Sequence, residues 1–342
     1  MLHPAAHGDT RKALEQVLGI EDPDSLLEAV SRLLDRVKPA NESNGLFQLH
    51  LANALFLHKE FPLNPDYRQT LRTTFKADLA NVDTSDPVAT ADRINDWVAE
   101  QTNDMIDGIL SREHINDDFR LALVNAIYFQ AEWSEQFEES FTEEEVFFPA
   151  LDGGDKEIRI PTMHQSGEFA HMSGEHLSAL QLPFKSGSFL IVLPKPGQFA
   201  KVVNEFNVEH LETILRSLAP AQVCLSLPRF NLESKFSLKE TLSSLGLAVC
   251  FNDLEAEFPG MTTTGIEMVV SEVLHRARIK LDEHGVEAAA ATVVLLALAG
   301  GIEPEPLKEI PFVVDRPFLF MVLEDQTDSI LLAGRVIHPK AN

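Results

Sequence analysis

Behind Ser25-Leu26-Leu27-Glu28, a capping-box pattern, the apolar residues Val30, Leu33, Leu34 and Val37 recur at helical spacing until Pro39 stops the run. This predicts an amphipathic surface helix. From Phe47 to Leu57 the period changes to two, with Leu49, Leu51, Leu55 and Leu57 on one face and Asn53 as the polar exception, which predicts a strand. A helical pattern returns between Ala91 and Ile106, and Leu121 to Phe129 is apolar enough for a strand buried on both faces. Further strands are predicted at Phe189 to Leu193, Val223 to Leu227, Ile266 to Leu281, Phe318 to Glu324 and Ile330 to Ile337, the last two joined by a turn at Asp325 to Asp328. Ser237-Leu238-Lys239-Glu240 predicts another capped helix, ending near Gly246. Helices dominate early and strands late, with no repeat and no low-complexity linker. The pattern therefore predicts one mixed α+β domain over residues 1–342.

One stretch resists this scheme. Gly285-Val286-Glu287-Ala288-Ala289-Ala290-Ala291-Thr292 continues through Val293 to Ala299 into Gly300-Gly301. Its alanines and leucines favour a buried helix, yet the glycines and the Glu-Pro-Glu-Pro that follow bracket it as a long surface loop. A segment with two competing preferences suggests a conformational switch.

Composition narrows the partners. Asp and Glu number 53 against 28 Lys and Arg, a net charge of -25, which would repel phosphate backbones and anionic lipid. Nucleic acid and membrane are accordingly not expected as partners. Cys224 and Cys250 form neither a metal-type spacing nor a disulfide framework. The apolar stretch from Val286 to Ala299 is too short for a membrane helix and is interrupted by Glu287. Met1-Leu2-His3-Pro4 lacks a secretory pattern, so the chain as written reads as intracellular, and as extracellular if its true start lies further upstream.

A search for catalytic chemistry returns little. The sequence holds no phosphate-binding loop, dinucleotide fingerprint, nucleophile elbow or zinc-protease helix. His171 and His176 lie five apart, off a common helical face, and His164 has no partner at ligand spacing. The acidic runs Asn116-Asp117-Asp118 and Glu143-Glu144-Glu145 lack the alternating ligands and glycine of a calcium loop. No cofactor or metal is expected, and weight moves from an enzyme to a binding or conformational protein.

Ordered motifs then point to a family. Asp282-Glu283-His284-Gly285-Val286-Glu287 with Ala288 to Thr292, then Asp315-Arg316-Pro317-Phe318-Leu319-Phe320, then Gly334-Arg335-Val336 with Pro339, resemble the hinge, post-loop strand and C-terminal hairpin of a serpin. Leu123-Val124-Asn125-Ala126 with Tyr128-Phe129 and Trp133 is similar to that family's central strand and the tryptophan at the top of its main sheet. Leu227-Pro228-Arg229-Phe230, Leu245-Gly246-Leu247, Phe251-Asn252, Pro259-Gly260-Met261-Thr262 and His275 before Ile279-Lys280 follow in the family's order. The resemblance covers nearly the whole chain. It implies a single serpin-type domain with a large, mostly antiparallel central sheet, further sheets, about eight helices and an exposed reactive-centre loop at about 283–306.

The residues of the hinge fit such a role. In an extended strand Val286, Ala288, Ala290, Thr292, Val294 and Leu296 share one face, and Glu287, Ala289, Ala291, Val293 and Leu295 the other. Small uncharged side chains can slide between existing strands. Burying Val286, Val294 and Leu296 would contribute roughly 5 to 9 kcal/mol. About ten new ladder hydrogen bonds at ~0.5 to 1.5 kcal/mol each would contribute comparably.

The resemblance also implies a mechanism and its residues. A target serine protease, with a cysteine protease as the alternative, cuts the loop and is trapped as an acyl-enzyme while the loop inserts. The inhibitor is expected to act as a monomer. Counting from Gly285 places the scissile bond at Ala299-Gly300, with Leu298 one residue earlier as the alternative. Ala299 suits an elastase-type pocket and Leu298 a chymotrypsin- or subtilisin-like one, and no Lys or Arg between Gly285 and Ile302 suits trypsin. Arg229 and Glu283 match a pair that gates the sheet beside Trp133, and Asn125 and His275 match the polar cluster at its opening point. A plain surface ion pair and an ordinary core hydrogen bond are the alternatives. Two departures stand out: Asn103-Asp104-Met105-Ile106 replaces the family's Gly-Lys-Ile, and Met1-Leu2 aligns only from the middle of its second helix. A non-inhibitory carrier or chaperone and an inactive truncated serpin are the competing functions.

Overall fold

The computed structural model describes residues 1–36, 47–116, 118–149, 157–184, 187–264, 266–286, 309–325 and 329–340. Among them are seven α-helices: α1 (Gly8–Leu18), α2 (Pro23–Arg36), α3 (Pro65–Thr74), α4 (Pro87–Gln101), α5 (Phe199–Glu205), α6 (Val208–Ser217) and α7 (Lys239–Leu242). The strands are β1 (Phe47–His58), β2 (Asp78–Val82), β3 (Leu121–Glu132), β4 (Glu143–Phe147), β5 (Ile158–Ser173), β6 (Leu177–Phe184), β7 (Gly187–Pro194), β8 (Ala219–Pro228), β9 (Phe230–Ser237), β10 (Glu272–Leu281), β11 (Gly285–Val286), β12 (Ile310–Val313), β13 (Phe318–Glu324) and β14 (Ile330–Val336). One six-stranded sheet has the order β2-β1-β3-β10-β9, with β11 added on β3, and an eight-stranded one the order β12-β8-β5-β6-β7-β13-β14, with β4 added on β5. The chain divides into two compact units, one of Met1–Glu42, Gln48–Phe129 and Glu233–Arg278, the other of Ser43–Phe47, Gln130–Leu232 and Ile279–Asn342.

In the first unit the period-two pattern sorts side chains into two layers. Leu55 and Leu57 of β1 and Leu121 and Leu123 of β3 pack with Leu14 of α1 and Tyr67 and Leu71 of α3. The alternate residues Ala52, Ala54 and Phe56 of β1, and Ala122, Val124 and Ala126 of β3, pack with Ile94 and Val98 of α4 and with Leu274 of β10. The double-sided burial expected of residues 121–129 follows from this sandwich. Alanines on the α4 side leave room for the helix to lie close to the strands.

Several boundaries differ from the sequence expectation, each for a local reason. The helix predicted behind Ser25 begins at Pro23, because Asp22 caps it by accepting the Asp24 N–H at 3.2 Å and the Ser25 hydroxyl at 2.5 Å. Helix α4 is capped by Asp86, which accepts the Ala89 N–H at 3.0 Å, and it stops at Gln101 rather than Ile106 because Asn103 and Asp104 turn left-handed, with φ of 52° and 60°. Ser237 does not cap α7. Its hydroxyl donates to Glu272 at 2.9 Å, and the four-residue helix passes into a π-turn over Ser243–Leu247, where Gly246 has φ 112°. Strand β10 begins at Glu272, not Ile266, since the preceding Met268, Val269 and Val270 are buried in the apolar layer instead. Strand β14 ends at Val336, one residue short of the expected Ile337.

In the second unit β7 and β13 are buried along their whole lengths and pair antiparallel from Leu319 opposite Val192 to Glu324 opposite Gly187. Leu190, Val192, Leu319 and Met321 pack with Val202 of α5 and with Leu211 and Ile214 of α6. Phe189 stacks on Phe320 at 5.3 Å and meets the edge of Trp133 at 5.9 Å. Strand β5 carries both β4 and β8, the latter in unbroken register from Thr162 opposite Pro228 to His171 opposite Ala219.

Candidate functional site

The hinge expected from the sequence begins in a tight turn of the second unit. After β10 the chain reverses at Asp282–Gly285, where Asp282 N donates to Gly285 O at 2.8 Å and Gly285 N to Asp282 O at 3.2 Å. Gly285 and Val286 then pair antiparallel with Glu132 and Ala131, the last residues of β3. Only glycine fits at 285. Its φ is 146°, and a Cβ there would stand 2.1 Å from the Ala131 carbonyl oxygen and 2.7 Å from the Glu132 Cα.

The turn is fastened from the segment that follows β3. Trp133 N donates to His284 O at 3.1 Å, Phe137 N donates to Glu283 O at 2.9 Å, and the Trp133 indole N–H donates to Asp282 O at 3.0 Å. The Glu283 side chain is buried, accepts the Thr142 hydroxyl at 2.7 Å, and faces Arg229 Nη1 at 3.3 Å. Burial alone would push the Glu283 carboxyl up, but the Thr142 hydroxyl, its own backbone N–H and Arg229 outweigh burial and hold it below its ordinary value. Asp282 goes the other way: burial dominates, and the His284 N–H and Lys280 offset it only in part. His284 Nε2 meets Glu139 at 2.9 Å. The turn thus brings together Glu283, Gly285, Val286, Trp133 and Arg229 among the residues singled out from the sequence.

A second arrangement lies in the first unit. Asn125 of β3 donates from Nδ2 to Asn53 Oδ1 of β1 at 2.7 Å, and its Oδ1 lies 2.6 Å from His275 Nδ1 of β10. The His275 ring stacks in parallel on Phe236 of β9 at 6.4 Å. One row therefore crosses four neighbouring strands, β1, β3, β10 and β9. Burial pushes the His275 imidazole below its ordinary value, which keeps it neutral and able to donate through Nδ1.

Sequence reasoning did not single out Thr142 or Asn53 as parts of these sites. Asn53 did leave a signal, as the polar break in a leucine face. Thr142 left none, since only the fold carries it to Glu283, 141 positions away in the chain. Hinge residues Glu287, Ala288, Ala289, Ala290, Ala291 and Thr292, and the bond at Leu298, Ala299 and Gly300, lie outside the described residues.

A buried carboxylate fastens the turn that leads into an alanine-rich sequence, and comparison with known proteins names the class. Residues 1–339 match the family model described as Serpin (serine protease inhibitor). The chain is 33% identical over 344 residues to an uncharacterized serpin-like protein of Thermococcus kodakarensis, covering 99% of this chain and 78% of that protein. It is 30% identical over 346 residues to antichymotrypsin-2 of Bombyx mori, covering 98% and 87%. Human thyroxine-binding globulin, solved with thyroxine, superposes with a TM-score of 0.87 at 26% identity, over 99% of this chain and 88% of that one. The chain belongs to the serpin family, whose model is described as a serine protease inhibitor, and has the α+β fold of its members.

Proposed function

We propose that this serpin is a single-domain, monomeric inhibitor of a serine-type endopeptidase, acting as a covalent suicide substrate through loop insertion. The observation that carries it is the pairing of Gly285 and Val286 with the end of β3. Gly285 and Val286 of the hinge already lie in strand register. Continuing that register would set Ala288 opposite Phe129 and Thr292 opposite Asn125, whose bond to His275 ties β3 to β10. Insertion would therefore exchange the Asn125–His275 contact and the existing β3–β10 ladder for two ladders, one on each side of the inserted strand.

In the trapping step the protease nucleophile adds to the carbonyl carbon of Ala299, or of Leu298 in the alternative register. The bond to the next nitrogen breaks, the new amine leaves with a proton, and an ester remains on the protease. Insertion then carries the tethered protease along the sheet before water can cleave that ester, since ~15 extended residues span about 50 Å. The fixed turn at Asp282–Gly285 supplies the pivot.

The test is to mix the protein with pancreatic-type elastase, chymotrypsin and subtilisin and look for a denaturant-resistant adduct on a gel. An adduct is expected with at least one of them, together with a nicked form that melts well above the intact protein. Cleavage near Ala299 without adduct or heat stabilisation would sink the trapping reading. One observation favours a carrier as second reading: an apolar groove of 370 Å³ lined by Val203, Phe206, Leu319 and Met321. Under that reading thyroxine would bind and no adduct would form.

A further inference from the structure

The segment after α4 departs from the family pattern, and in the first unit it is clasped by two strands. Arg278 Nη1 of β10 donates to Met105 O at 2.7 Å, and Lys235 Nζ of β9 donates to Gly108 O at 2.6 Å. Arg276 of β10 donates from Nη2 to Asp107 at 3.2 Å and from Nε to Glu233 of β9. On its other flank α4 is fastened by apolar contact: Ile94 and Val98, with Ile106, pack among Ala54, Phe56, Ala122 and Val124 of β1 and β3. Trp97 meets Phe56 edge-on at 5.6 Å.

The helix and its following segment therefore cross the seam between β3 and β10, held on β1 and β3 by packing and on β10 and β9 mainly by hydrogen bonds, with Leu274 of β10 joining the apolar layer. A strand inserted in that seam moves β10 and β9 away from β3 and β1 by about 4.8 Å. Hydrogen bonds of 2.6 to 3.2 Å do not survive such a step. The two attachments cannot both hold. The apolar side buries Ile94, Val98 and Ile106 completely, whereas the polar side consists of single hydrogen bonds to the Met105 and Gly108 carbonyls and to Asp107, whose side chain is 93% exposed. The polar side gives way first.

We propose that Arg276, Arg278 and Lys235 form a latch on residues 105–108 whose release limits the rate at which the β3–β10 seam opens. They are positioning residues, and the inference rests on the loop-insertion reading above. A purely structural tether would alter stability, whereas a latch alters the opening rate.

The probe is a synthetic peptide of residues 286–297, added to the intact protein, with annealing followed on native gels. Arg276→Ala and Arg278→Met are expected to anneal about three- to tenfold faster than the parent, and Asp107→Asn about twofold faster. Arg276→Lys should return most of the rate, and Arg216→Ala, which removes an exposed pair with Glu212, should leave it unchanged. Asp107→Asn alters an exposed side chain and keeps the test open should the arginine variants fold poorly. Hydrogen exchange at residues 105–108 should quicken in the arginine variants. Equal annealing rates, or unchanged exchange, overturn the latch alone. Absence of annealing in every protein removes the insertion reading and the latch with it.

Discussion

The turn at Asp282–Gly285 and the row Asn53–Asn125–His275 are both polar arrangements on β-strands, but they are built differently. The turn uses a buried carboxylate, held by Thr142 and Arg229, and four backbone hydrogen bonds in and around its reversal. The row uses neutral amides and a neutral imidazole, linked one to the next. A buried charge is costly to leave without partners, so the turn is committed to one geometry. A neutral row costs only about a hydrogen bond to break at any link. Under the proposed loop insertion, the turn would serve as a fixed pivot and the row as a breakable seam.

Breaking the pivot should have the largest effect. Gly285→Val forces a β-branched residue into φ 146° and against the Ala131 carbonyl, and should cost about 3 kcal/mol, read from urea unfolding. Heat stabilisation after nicking should weaken in parallel. Glu283→Ala, which strands the Thr142 hydroxyl and Arg229, should cost about 2 kcal/mol by the same measurement. Asn125→Ala should cost about 1 kcal/mol, and its double-mutant cycle with His275→Ala should show coupling of about 0.5 to 1.5 kcal/mol. A coupling near zero would deny that the row acts as a unit.

Two smaller effects sharpen the contrast. His275 titrates below its ordinary value of 6.5 in the folded protein, so the unfolded chain takes up a proton first as pH falls. The stability contributed by the neutral ring is present above pH 6.5 and is lost below it. Melting temperature should therefore drop between about pH 7 and pH 5, and His275→Gln should flatten that drop. Arg229→Ala should cost the least, about 1 kcal/mol, because Arg229 is 39% exposed and the buried Glu283 carboxylate keeps the Thr142 hydroxyl and its backbone N–H as partners. Raising salt should shrink this effect and leave the Asn125 effect unchanged.

Legibility in the sequence varied with the range of the interaction. The strands β1, β3, β8, β13 and β14 were readable because burial on sheets imposes a period of two or a continuous apolar run. Helix starts were less so, since Asp22-Pro23 and Ser25 both carry cap chemistry and only the competition between them decides. Strands β5, β6 and β9 left no clean alternation: β5 carries Pro161, Gly167 and Glu168, and β9 is largely polar from Asn231 onward. The pairing of Arg229 with Glu283, and of Asn125 with His275, was visible only through family resemblance. No local pattern links residues 54 or 150 positions apart. The clasp on Met105–Gly108 was foreshadowed as a departure from pattern, but its partners come from β9 and β10.

The chain's two tryptophans occupy different working parts. Trp133 donates to the Asp282 carbonyl in the turn, and Trp97 rides on α4, donating from its indole to Asp78 at 3.1 Å. Trp97→Phe therefore leaves a fluorophore that reports the pivot, and Trp133→Phe one that reports the crossing helix. Should the loop insert as proposed, emission from the pair of single-tryptophan proteins would follow the turn and the helix separately, without an attached label.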